Sequence, residues 1–205
     1  MGGQDPRATP LLVERAVLHT RMLLLGTDDP RGHLQRAADD YQARIDREAS
    51  SGRDLSTTMA NLAETYMMLG DLDRAIAAYE SVRRLGRDAS ATLGLAVALD
   101  RDGQGVRARE LARSVGIDGF EIFKSKVEQS GEIFYVPEGE RYYYFALAEE
   151  ALGLDTSALG HWDLFLASGA YPMYGPRATA NRAAVAGRIA ASARRVLAPG
   201  GRGGR

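Results

Sequence analysis

The strongest constraint on the fold is a pattern that occurs twice. Leu62, Ala63, Tyr66, Gly70, Ala75 and Tyr79 recur thirty-three positions later as Leu95, Ala96, Leu99, Gly103, Ala108 and Ala112, and four of the six keep their residue. Each copy reads as an amphipathic helix, a glycine turn and a second helix. A unit this short cannot bury its apolar face alone, so a chain built from such units must stack neighbours to form a core. Ala63 and Ala75 supply the small side chains that let two helices approach closely. Tyr66 and Tyr79 fill the space around them.

A third copy follows at a larger offset: Phe145, Ala146, Gly153, Ala158 and Trp162, with Glu149 in the place of Tyr66. Upstream, LLVERAVLHTRMLLLG and LQRAADDYQARI supply another helix pair, in which Ala37 and Tyr41 repeat the spacing of Ala75 and Tyr79. The expectation is an all-α chain of about four helix pairs over residues 10–197. It is flanked by a flexible start (1–9) and a flexible Gly/Arg tail (198–205).

Two parts depart from the rhythm. Between Gly116 and Arg141 the repeat gives way to an aromatic-rich insertion, about 116–141, that holds IDGFEIFKSKVEQSGEIFYVPEGE. Phe120 and Phe123 are spaced for one face of a short helix, while EIFYV has the look of an extended stretch. Pro137 followed by Glu138 and Glu140 predicts a helix start. Tyr142 to Phe145 then cover about 300° of that helix, which predicts neighbours on more than one side. Near the end, LASGAYPMYGP predicts a turn. An alanine-rich last helix follows, with Ala184, Val185, Ile189 and Val196 as its apolar face, and it reads as a cap on the array.

The spacing Met59-x-x-Leu62-Ala63-x-x-Tyr66, with Ala75-x-x-x-Tyr79, resembles the tetratricopeptide repeat. That family's pattern is roughly W-x-x-L-G-x-x-Y, then A-x-x-x-F, then P, over about 34 residues. Met59 stands at the tryptophan position and Arg87 where the family often has proline. The resemblance implies a tetratricopeptide-like helical-hairpin solenoid.

Composition removes several function classes. A formal charge of -1 among 53 charged residues (26 basic, 27 acidic) gives no global attraction to phosphate backbones or anionic membranes, which argues against non-specific nucleic-acid binding. With no cysteine there is no disulfide, thiolate nucleophile or thiolate metal site. No apolar stretch reaches the about 20 residues needed to span a bilayer. Glu14, Arg15 and Arg21 interrupt the first apolar positions, so no signal peptide is expected and the chain reads as cytoplasmic by default. Lys124 and Lys126 are the only lysines, a usage that resembles coding by a GC-rich bacterial genome.

No residue pattern points to catalysis, a cofactor or a metal. His19, His33 and His161 are too scattered for a metal-ligand spacing. Neighbouring helical carboxylates diverge by about 100°, so Glu149-Glu150 and Asp100-Arg101-Asp102 read as solvated helix faces rather than acid and base pairs. GRGGR has no following helix to bind phosphate. Eight of the fifteen aromatic residues lie between Phe120 and Phe145. Either they anchor the insertion on the core or some of them line a groove.

What the resemblance implies about function is a non-catalytic adaptor or scaffold. Family members hold a partner segment in the concave face, lined by the first helix of each pair. Carried over by position, that face holds Thr57, Ala60, Glu64 and Met67, then Leu93, Val97 and Asp100, then Tyr143, Leu147 and Glu150. Its acidic points favour a basic partner protein or peptide. One variant of the family grips acidic chaperone termini with lysine and asparagine; Ala60 and Glu64 stand at those positions here and cannot pair with a carboxylate. The rival reading is an enzyme, or a subunit of one, that uses the aromatic insertion as a ligand pocket.

Overall fold

The glycine turns of the repeat set the architecture. The computed structural model describes residues 8–86, 88–130 and 137–197. Arg87, the EIFYV stretch and both chain ends lie outside the described residues. Among the described residues the secondary structure is helical, without a strand. The helices are α1 (Ala8–Met22), α2 (Pro30–Glu48), α3 (Ser56–Leu69), α4 (Leu72–Leu85), α5 (Ala89–Arg101), α6 (Gly105–Ser125), α7 (Glu140–Leu152), α8 (Asp155–Ser168) and α9 (Gly175–Leu197). A π turn, Lys126–Ser130, extends α6, and a 3-10 turn, Pro172–Tyr174, precedes α9.

Three hairpins close in the same way. Gly70, Gly103 and Gly153 each take a left-handed conformation (φ 78°, 87° and 79°), which costs a residue without Cβ nothing. The residue after each glycine then donates its N–H to a carbonyl five positions back: Asp71 to Tyr66, Gln104 to Leu99 and Leu154 to Glu149, at 2.9, 2.8 and 2.8 Å. The small positions of the pattern meet at the helix crossings. Ala63, Ala75, Ala96, Ala108, Ala146 and Ala158 are all fully buried, each at 0% exposure. In the upstream pair Ala16, Ala37 and Tyr41 are buried too.

Packing follows chain order. The hairpins α1–α2, α3–α4, α5–α6 and α7–α8 each pack internally, and α2–α3, α4–α5, α6–α7 and α8–α9 join them in sequence. Contacts that skip a helix link α3 to α5 and α5 to α7, so the first helices of three successive pairs form one row. No helix among the described residues is long and apolar enough to cross a membrane.

The stretch expected as an insertion begins as a continuation of α6. Helical pairing resumes beyond Gly116, whose φ of 71° and ψ of 169° bend the helix. The continuation carries Phe120 and Phe123 back onto the core. There Phe120 meets Phe145 edge-on, while Phe123 stacks on Tyr144 and meets Phe145 edge-on. Tyr143, Tyr144 and Phe145 are all buried, as four aromatic residues in succession require of a helix with neighbours on several sides. On α9, the expected apolar face needs correction. Val185 is buried, but Ala184 is exposed and Val196 is 84% exposed. The face that packs is Ala178, Asn181 and Val185, with Ile189 half-buried, because one stripe of α9 lies on α8 and its last turns run past the core.

Candidate functional site

The row formed by α3, α5 and α7 carries the expected binding residues, and their accessibilities differ sharply. On α3, Thr57 is exposed and Ala60 and Glu64 are half-buried, forming an i, i+3, i+7 stripe that a partner can reach. Met67 on the same helix is buried, as are Leu93, Val97 and Asp100 on α5 and Tyr143, Leu147 and Glu150 on α7. Beyond α3 these positions are part of the core.

Two of them, Asp100 and Tyr143, belong to a polar network between sequence-distant elements. Asp100, fully buried, accepts from Tyr143 Oη (2.7 Å), Asn181 Nδ2 (2.8 Å), and Arg177 Nη2 (2.5 Å) and Nε (3.2 Å). Both carboxylate oxygens are used, so this group acts as a clasp between α5, α7 and α9 and has no lone pair left to act as a base. Burial pushes the Tyr143 hydroxyl well above its ordinary pKa, and the adjoining Asp100 charge adds to the shift.

Next to it, Arg101 Nη2 donates to Glu140 Oε2 at 2.7 Å, and both side chains are inaccessible. The guanidinium carbon lies 4.1 Å from the Tyr174 ring centroid, 4.5 Å from that of Tyr143 and 5.7 Å from that of Tyr171. This cation–π cage surrounds a group whose Nε and Nη1 have no hydrogen-bond acceptor. Burial opposes the Arg101 charge, yet Glu140, Tyr143 and Tyr144 together offset it and raise the pKa. Burial pushes the Glu140 carboxyl up to about 7 against the pull of Arg101, with a further push from the nearby Glu64. Tyr171 holds its place in the cage at φ 44°, the one non-glycine positive φ among the described residues, a conformation that costs of order 1–3 kcal/mol.

The reading of Asp100-Arg101 and Glu149-Glu150 as solvated faces is therefore corrected; only Asp102 of these is exposed. Glu149, buried, bonds His161 Nδ1 at 2.6 Å, and His161 stacks on Tyr142. Glu150 faces Arg188 at 3.4 Å and Arg109 at 3.8 Å. Burial raises its pKa and those arginines oppose the rise. The Trp162 indole N–H lies close enough to favour the Glu150 charge but outside hydrogen-bond geometry. The physical reason for the correction is pairing: each of these buried charges meets a partner on another helix.

Glu64 is the reachable carboxylate of the row. Its Oε2 accepts from Tyr79 Oη at 2.7 Å and Tyr144 Oη at 2.6 Å. Among the described residues no arginine, lysine or histidine lies within ion-pair distance of it. The two hydroxyls fix the carboxylate.

Two of the three histidines come together in space. His19 and His33, scattered in sequence, bring their Nδ1 atoms to 2.8 Å between α1 and α2, and burial followed by the His33 and Arg36 charges lowers the His19 pKa. Among the described residues no group of three or more His, Asp or Glu is arranged to hold a metal ion. No family model matches the chain, and no curated protein matches its sequence.

Proposed function

We propose that the chain is a tetratricopeptide-like solenoid that acts as a non-catalytic scaffold, holding a basic segment of a partner protein along the inner stripe of α3. The observation that carries this reading is Glu64: a half-buried residue whose carboxylate is positioned by two tyrosine hydroxyls, with no cation paired to it among the described residues and an accessible helix stripe beside it. The hairpin repeat supports the solenoid part of the reading. The saturated clasp at Asp100 fits a structural role for the polar core rather than an acid or base one. The site is smaller than the row of ten positions, resting on Thr57, Ala60 and Glu64.

Such a site gains specificity from charge and weakens as salt rises. A random peptide library displayed against the intact chain should enrich Lys and Arg, and Glu64→Gln should remove that enrichment while leaving the helical circular dichroism unchanged. Enrichment of acidic or neutral peptides, or basic enrichment that survives Glu64→Gln, rejects the reading.

A further inference from the structure

The two oxygens of the Glu64 carboxylate are not equivalent. Oε2 accepts from Tyr79 Oη at 2.7 Å and from Tyr144 Oη at 2.6 Å. A carboxylate oxygen offers two lone-pair sites, so the two hydroxyls fill Oε2. Both rings are buried, at 3% and 1% exposure, which turns Oε2 toward the core. Oε1 accepts from none of the described residues, and the buried polar atoms left without a partner do not include it. Glu64 keeps part of its surface open to solvent, so a ligand that reaches this carboxylate meets Oε1.

Four helices build this asymmetry. Glu64 comes from α3, Tyr79 from α4 and Tyr144 from α7, and α5 contributes Gly94. A Cβ at Gly94 would lie 2.6 Å from Tyr79 Oη, so the absence of a side chain there gives the hydroxyl its place beside Glu64.

Lysine and arginine ask different things of such a carboxylate. Arginine gains most from a fork that sets two parallel N–H donors on both oxygens. Here that pairing requires Oε2 to give up one of its tyrosine donors, which strips a hydrogen bond from a buried hydroxyl. A lysine ammonium is a point charge that needs one oxygen and turns its other donors to water. The Glu64 side chain leans toward the N-terminus of α3, over Ala60 and Thr57. The methyl group of Ala60 leaves room there for the apolar stem of a lysine.

We infer that Oε1 of Glu64 is a lysine-selective anchor, which takes a lysine side chain of a partner protein in preference to an arginine, and that Tyr79 and Tyr144 set this preference by occupying Oε2. The inference rests on the partner site proposed at Glu64 and narrows its ligand.

Fluorescence anisotropy on the full chain at low salt tests it with two labelled peptides, one of alternating Ala and Lys and one of alternating Ala and Arg. The parent should bind the lysine peptide about threefold or more tighter than the arginine peptide. Glu64→Gln should weaken the lysine peptide about fivefold or more and remove the preference. Tyr79→Phe and Tyr144→Phe each free one lone pair of Oε2 and keep the ring. Each should tighten arginine binding and bring the ratio to about one, with circular dichroism unchanged. Peptides that bind Glu64→Gln as well as the parent remove the partner site and this inference with it. A Glu64-dependent site that holds arginine as tightly as lysine leaves the partner site standing and overturns the selectivity. A lysine preference unchanged in both phenylalanine variants overturns the role of the hydroxyls.

Discussion

α3 and α5 hold the same place in successive hairpins, and their inner faces end up in opposite environments. On α3 the stripe Thr57, Ala60, Glu64 stays accessible. On α5 every residue from Ala91 to Arg101 is buried. The turns, the small crossing residues and the order of packing are alike in both hairpins. Part of the difference comes from outside the repeat: Tyr171, Tyr174, Arg177 and Asn181 reach back onto Asp100 and Arg101 at the end of α5, while α4, α6 and α7 pack against the helix. A repeat pattern specifies the hairpin, and only the tertiary neighbours decide whether its inner face is a surface.

The largest expected effect is at that cover. Asp100→Ala removes the acceptor shared by Tyr143, Asn181 and Arg177, leaving buried donors and a cation unpaired. Losing one partner of a buried ionic network typically costs about 3–5 kcal/mol. Urea denaturation should show that loss, whereas Glu64→Gln on the open stripe should cost under about 1 kcal/mol. Equal losses at the two sites would erase the contrast drawn between the helices.

Close helix contacts should respond next. An alanine at Gly94 would place its Cβ against the Tyr79 ring, and Ala63→Leu would force bulk into a crossing with no free space. Overpacking of this kind costs roughly 1–3 kcal/mol. Unchanged melting temperatures in both variants would remove the shared crossing geometry.

How far the sequence carried is clear from these residues. The glycine turns and the alanine positions were legible because they are local and periodic. The buried state of α5 also had a signal: Ala91 to Leu99 is apolar at every position except Thr92 and Gly94, the mark of a helix surrounded on all sides. The Asp100 clasp had none, since its donors come from 43, 77 and 81 positions further along the chain. Nothing in the spacing of His19 and His33 announces a contact between α1 and α2. Glu64 was legible as a carboxylate on the row, but its tyrosine support from Tyr144, 80 positions away, was not.

A smaller effect, in pH dependence, separates the two regions further. Glu140 titrates near 7 in the folded chain, above the 4.5 of an unperturbed glutamate. Between those values the folded state binds more protons than the unfolded one, so this group favours folding at low pH and its contribution is lost as pH rises through 7. Thermal stability should therefore slope downward from pH 5 to pH 8, and Glu140→Gln should flatten that slope. Glu64→Gln should reduce it less than Glu140→Gln does, since the Glu64 charge is only a secondary cause of the Glu140 shift. An upward slope abolished by Glu140→Gln would mean that the carboxyl is shifted the other way.

The central claim is that Asp100 and Arg177 act as one unit that clasps α9 to α5. A double-mutant cycle of Asp100→Ala and Arg177→Met, measured by urea denaturation, tests it directly. The clasp predicts a coupling energy of about 1.5 kcal/mol or more, the double variant losing far less than the sum of the singles. Losses that add to within about 0.5 kcal/mol would show two independent side chains and contradict the account.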